Sequence, residues 1–173
     1  MIETCKLILR PALPADAAEL AALERDAEVM RYLGPTDLPP SAPAPFLRPR
    51  GGEPGVWTAR RRADGAFVGW FALVRLEAAP QPAAELGYRL RRAAWGQGLA
   101  TEGARALLAH GFESMGLVRV EATTMAVNRA SRRVLEKLGF VHVATLHEPW
   151  PDPLPGSEYG EVRYALERSA GAG

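Results

Sequence analysis

Trp95-Gly96-Gln97-Gly98-Leu99-Ala100-Thr101 is the stretch on which the architecture of this chain turns. It stands between residues 84–90, which read as a strand, and residues 97–115, the clearest helix in the sequence. In that helix Ala100, Ala104, Leu107, Gly111 and Met115 recur along one face, while Thr101, Arg105, His110 and Glu113 lie largely away from it. Glycines at a strand–helix junction let main-chain amides approach a ligand closely, and the helix N-terminus adds unpaired donors and a positive dipole end. The position suits a phosphate or a diphosphate, and glycines alone do not say which; a turn that is merely tight is the competing reading. Two phosphate signatures are excluded. No Gly-Lys-Ser/Thr closes the loop as a P-loop requires, and Thr101 stands where a dinucleotide fingerprint needs its third glycine.

Upstream, residues 5–10 alternate between apolar and polar and predict a first strand, with Cys5 as a buried thiol. Pro14 and Asp16 open a helical segment in which Leu20, Leu23 and Ala27 recur. Residues 34–55 are dense in Pro and Gly; too little chain precedes them to form a domain, so they read as a loop or broken helix over one core. Residues 56–61 and 67–76 form strands joined by an Asp64-Gly65 turn, a strong hairpin signal. Downstream, residues 118–127 predict a strand and residues 130–138 a short helix stopped by Gly139. Residues 140–146 and 162–166 close the chain as strands around a Pro-rich loop, 149–156. The order predicts an α/β (α+β) fold with a mixed, mostly antiparallel sheet, the single strand–helix–strand unit from 85 to 127 being its parallel crossover.

The bulk composition narrows the function classes. A chain of 173 residues with 47% hydrophobic and 24% charged residues supports one core, assigned to 1–168 with a short tail at 169–173. A formal net charge of +1 argues against a general partner in nucleic acid or an anionic membrane. The one cysteine excludes an intrachain disulfide. No apolar run approaches the about 20 residues of a membrane span, and no secretory signal opens the sequence, so a cytoplasmic protein is expected.

A second motif follows the strand at 118–127. Asn128, Ser131, Val134, Leu135, Glu136, Lys137, Leu138, Gly139 and Phe140 form an N-x-x-S-x-x-V-L-E-K-L-G-F pattern. With the glycine loop and Glu85-Leu86-Gly87-Tyr88, it strongly resembles the GNAT N-acetyltransferases, in particular their RimJ/RimL-like branch. Residues 7–11 and 160–166 are also similar to that branch. The resemblance implies the GNAT fold, with a V-shaped gap between two parallel strands and helices on both faces of the sheet. It implies acetyl-CoA as co-substrate, no metal, and an amine acceptor such as a protein N-terminus or a small amine; it leaves a homodimer open. The alternative is a catalytically inactive acyl-CoA-binding regulatory module.

Site residues follow from the same resemblance. The family's Q/R-x-x-G-x-G/A loop corresponds to Trp95, Gly96, Gln97, Gly98, Leu99 and Ala100, with Thr101 next, and departs from it in having Trp at the first position. Main-chain groups of Tyr88, Arg89 and Leu90 would meet the pantetheine arm, with Asn128 bonding it from the far side of the gap. Arg91, Arg92, Arg132 and Arg133 are near enough in sequence to meet the nucleotide phosphates. The implied mechanism is direct attack of an amine on the thioester. It needs a proton acceptor, an oxyanion donor and a hydrogen bond to the leaving thiolate. A main-chain amide near Tyr88 suits the oxyanion, and Ser131 the leaving sulfur, although a serine there also reads as a helix cap. Glu85 and Glu148, directly or through water, are the candidate bases, with His147 a weaker one. Glu102, inside the helix after the loop, reads as a residue fixing local geometry.

Overall fold

A computed structural model describes residues 1–33, 55–150 and 152–168. Most of the Pro-rich stretch at 34–55, Pro151 and the tail at 169–173 lie outside the described residues. The strands are β1 (Ile2–Glu3), β2 (Leu7–Pro11), β3 (Val56–Arg61), β4 (Phe67–Arg75), β5 (Ala83–Leu90), β6 (Arg119–Met125), β7 (Val141–Leu146) and β8 (Glu161–Glu167). The helices are α1 (Ala17–Glu24), α2 (Ala27–Met30), α3 (Leu99–Glu113) and α4 (Arg129–Lys137). All eight strands join one sheet in the order β1-β2-β3-β4-β5-β6-β8-β7. Every neighbouring pair is antiparallel except β5 and β6.

The two faces of the sheet are read directly from the period-two alternation of β3 and β4. Trp57, Ala59, Phe71 and Leu73 point to one face and share a core with Leu99, Ala104, Leu107 and Leu135 of α3 and α4. Val56, Trp70 and Ala72 point to the other, where Leu20 and Leu23 of α1 cover them. Helices therefore lie on both faces, and β4 is buried on both, which explains its nearly unbroken apolar run. Gly103 allows α3 to sit close to the sheet, because a Cβ there would lie 2.4 Å from the Phe71 ring.

Three expectations change. Cys5 is exposed, not buried. The chain reverses at residues 4–6 between β1 and β2, so the strand expected over 5–10 begins only at Leu7, as β2, and the thiol sits on the bend. The first helical segment breaks in two because the Asp26 carboxylate accepts from the amides of Glu28 and Val29, at 3.0 and 3.4 Å, and starts α2 afresh. The long helix begins at Leu99 rather than residue 97, since Gly96 and Gly98 hold φ of 73° and 77°, outside the helical region. At the far end of α1's entry, Asp16 is 1% exposed, and Arg10 grips it with two hydrogen bonds of 2.8 and 2.6 Å. The same carboxylate accepts from the Leu13 amide at 2.8 Å. Burial opposes its charge, but these donors outweigh it and hold the carboxyl below its ordinary range.

Candidate active site

The two parallel strands stay together for only three positions: Ala83 beside Arg119, Ala84 beside Val120, and Glu85 beside Glu121. Beyond these, β5 continues through Leu90 paired only to β4, and β6 continues to Met125 paired only to β8. The strands splay into a V that opens toward their C-terminal ends. The facing edges of residues 86–90 and 122–125 thus offer main-chain donors and acceptors with no strand between them, groups that a ligand can satisfy.

The glycine loop follows directly from the open end of β5. Its exposed polar side-chain groups are tied to nearby main chain: Trp95 Nε1 donates to the Leu90 carbonyl at 2.8 Å, and Gln97 Nε2 to the Ala93 carbonyl at 2.6 Å. Leu99 is buried in the core. What the loop leaves outward is main chain. Gly98 caps α3 without a side-chain hydrogen bond, whereas Asn128 and Asp26 cap α4 and α2 with theirs. The first amides of a 15-residue helix are consequently available to an anion. Ala100 and Thr101, in that first turn, are half-buried.

Across the V, Tyr88 and the α4 N-terminus meet. Alternation on β5 sends Tyr88 to the α4 side, where it packs against Phe71 with ring centroids 6.2 Å apart. Its hydroxyl lies 3.0 Å from Ser131 Oγ and 3.3 Å from the Ser131 carbonyl. Burial, opposed by the Ser131 hydrogen bond, pushes the phenol up to about 12, so it stays protonated at neutral pH. Asn128 Oδ1 accepts from the Ser131 amide at 3.2 Å. The asparagine is the helix cap and Ser131 is the capped residue, which leaves the serine hydroxyl for Tyr88.

The opposite face of β5 carries Glu85 and Arg89. Part of Glu85 meets solvent, yet its carboxyl group is held above the ordinary carboxylate range. Desolvation by burial is the largest cause, followed by the charge of Glu121; Arg163 partly offsets them, and Glu161 adds a smaller push upward. Glu148 and His147, the other candidate bases, lie beyond the end of β7 and are exposed. Arg132 is engaged locally: its Nε donates to Tyr164 Oη at 3.0 Å and its Nη1 to the Ala126 carbonyl at 3.1 Å. Arg91, Arg92 and Arg133 are exposed.

Sequence reading missed the side chain of Arg89. It pairs with Glu24 of α1 at 3.2 Å and lies over the Trp70 ring, 5.2 Å from its centroid. Burial lowers its pKa, partly opposed by Glu24, and its Nε is buried without a hydrogen-bond partner. The alternation that sends Tyr88 toward α4 sends Arg89 toward α1, but nothing local in sequence names Glu24 as the partner.

Residues 6–141 match the family described as "Acetyltransferase (GNAT) domain". The chain belongs to this GNAT acetyltransferase family. It is 40% identical over 121 residues to the FsC-acetyl coenzyme A-N(2)-transacetylase of Aspergillus fumigatus, covering 66% of this chain and 52% of that protein. It thus spans about half the length of the fungal relative. It is 30% identical over 154 residues to the uncharacterized N-acetyltransferase YoaA of Bacillus subtilis, covering 86% of each chain. Among solved structures, a GNAT-family acetyltransferase from Bacillus anthracis superposes with a TM-score of 0.77 at 23% identity, covering 96% of this chain and 97% of the other.

Proposed function

We propose that this chain is an acetyl-CoA-dependent N-acetyltransferase, its catalytic domain spanning residues 1–168, and that it belongs to the RimJ/RimL-like branch. The observation that carries the proposal is the splayed β5–β6 pair with an uncapped, glycine-led helix start at its open end. One feature takes a diphosphate and the other an extended, amide-bearing arm, and they are arranged in series as a coenzyme A thioester requires.

The main-chain groups of Tyr88, Arg89 and Leu90 line the arm on one side, and Asn128 stands on the other. The loop from Trp95 through Gly96, Gln97, Gly98, Leu99, Ala100 and Thr101 holds the diphosphate with its amides. The acceptor amine attacks the thioester carbonyl, the C–S bond breaks, and the products are an N-acetyl amide and free coenzyme A. An amide near Tyr88 meets the oxyanion. Tyr88, kept protonated by burial, donates to Ser131 and leaves the serine O–H to meet the departing sulfur. The proton lost by the amine passes to Glu85, directly or through water, because its raised pKa brings it nearer to that task than an ordinary carboxylate. Glu148 is the second candidate for this role, from the loop beyond β7.

The acceptor is a protein N-terminus or a small-molecule amine. The fungal relative's name, with its acetyl coenzyme A donor and N(2) acceptor position, supports nitrogen as the acceptor atom. The test is a transfer screen with acetyl-CoA over small amines and N-terminal peptides, including those of ribosomal proteins, following release of free thiol. Amine-dependent thiol release with an N-acetyl product is expected. Tight acetyl-CoA binding without transfer to any acceptor would instead identify a non-catalytic acyl-CoA-binding module.

A further inference from the structure

The sequence motifs leave Lys6 without a role, and the structure places it at the glycine loop. Its ammonium donates to the Gln97 carbonyl at 3.3 Å, although the two residues are 91 positions apart. The bend that carries it is tied to α3 by Glu102, whose Oε1 accepts from the Lys6 amide at 2.7 Å and from Thr4 Oγ1 at 2.6 Å. Arg62 Nη1 holds the Thr4 carbonyl from the other side at 2.8 Å. Two consequences follow. A carboxylate in the first turn of α3 would repel an anion bound at the helix start, and these two donors draw it away toward β1–β2. Gln97 sits between two glycines with positive φ, and its side chain is held by the Ala93 carbonyl, which leaves its own carbonyl to be fixed from outside the loop. Pinning its carbonyl fixes how the flanking peptide units present their N–H groups.

We propose that Lys6, held in place by Glu102, is a positioning residue for the coenzyme diphosphate. It fixes the Gln97 peptide and adds a positive charge at the rim of the site. Only one of its three ammonium protons is engaged by Gln97, and its side chain is exposed. The inference rests on the coenzyme reading of the loop.

Binding isotherms of acetyl-CoA, 3′-dephospho-acetyl-CoA and S-acetylpantetheine test it without a known acceptor. The wild-type protein, Lys6→Met and Lys6→Arg are compared. Lys6→Met is expected to lose about tenfold in affinity for both diphosphate-bearing donors, the size of one charge-assisted contact, and nothing for S-acetylpantetheine. Lys6→Arg is expected to retain most of the affinity. Unchanged acetyl-CoA affinity in Lys6→Met overturns the inference. So does an equal loss for all three donors, which marks a folding effect, or a loss absent with the dephospho donor. A wild-type protein that binds acetyl-CoA no better than S-acetylpantetheine overturns the loop reading itself, a separate outcome.

Discussion

Tyr88 on β5 reaches across the V to the start of α4, its hydroxyl 3.0 Å from Ser131 Oγ and 3.3 Å from the Ser131 carbonyl. The serine's backbone is fixed independently, through the Asn128 cap, so the hydroxyl can be removed without loosening the helix start. Ser131→Ala is expected to reduce kcat about 10²-fold, the lower end of general acid contributions, with acetyl-CoA affinity nearly unchanged. Tyr88→Phe removes the orienting donor and is expected to produce a smaller fall in kcat. Steady-state kinetics paired with calorimetric binding separates the two parameters. An unaltered kcat in Ser131→Ala removes the serine from the reaction.

Gly98 tests the anion site. Its φ of 77° lies in the left-handed region, and a Cβ placed there meets no atom within 4 Å. A valine therefore imposes backbone strain rather than a clash, about 1–3 kcal/mol, which the loop relieves by abandoning its geometry. Gly98→Val is expected to bind acetyl-CoA at least tenfold more weakly while retaining its fold, as circular dichroism and titration calorimetry would show. Unchanged affinity would place the coenzyme elsewhere.

Glu85 gives a pH signature. As a base it works deprotonated, so kcat/KM should rise with pH through a value above the ordinary carboxylate range, and Glu85→Gln should both lower activity and erase that limb. The sign for stability is opposite. A carboxyl whose folded pKa is raised binds its proton more tightly in the folded state, so stability falls as pH rises from its unfolded value through the folded one. Glu85→Gln should thus be no less stable than wild type at pH 7. A substantially lower urea midpoint would show the residue to be structural.

Asp16 is the reverse case. Its folded pKa lies below the unfolded value, so its contribution is fully present above about pH 4 and disappears as pH falls through the folded value. Asp16→Asn leaves the partly solvated Arg10 beside a neutral partner and is expected to cost about 1.5–3 kcal/mol, measured by urea denaturation at pH 7. Because Asp16 directly precedes α1, the helix carrying Glu24, a secondary loss of activity is expected through the Glu24–Arg89 pair.

What sequence made legible was local. Gly96 and Gly98, the helix they precede, Gly139 as a stop and Asn128 ahead of Ser131 are signals confined to a few residues, and the structure places each in a turn or at a helix end. The fold class was legible for the same reason, since one long amphipathic helix between two strands demands one parallel pair. Cys5 failed because alternation does not reveal that the chain reverses there, between β1 and β2. Glu24–Arg89 and Lys6–Gln97 were invisible because tertiary packing alone brings them together. Ser131 was legible as a hydroxyl in a motif, but its partner Tyr88 was named only for its main chain. The orientation of a strand residue depends on register, and register is settled by the neighbouring strands.

The splayed β5–β6 pair has one further consequence. A slot whose recognising groups are peptide N–H and C=O asks almost nothing of the side chains along it, so substitutions there can accumulate while the donor stays the same. The face that carries Glu85 and Arg89 presents side chains instead, so an exchange there changes the chemistry beside the slot. Under the acetyl-transfer function proposed above, a lineage built on this sheet is free to diversify its acceptors while inheriting its acyl carrier intact.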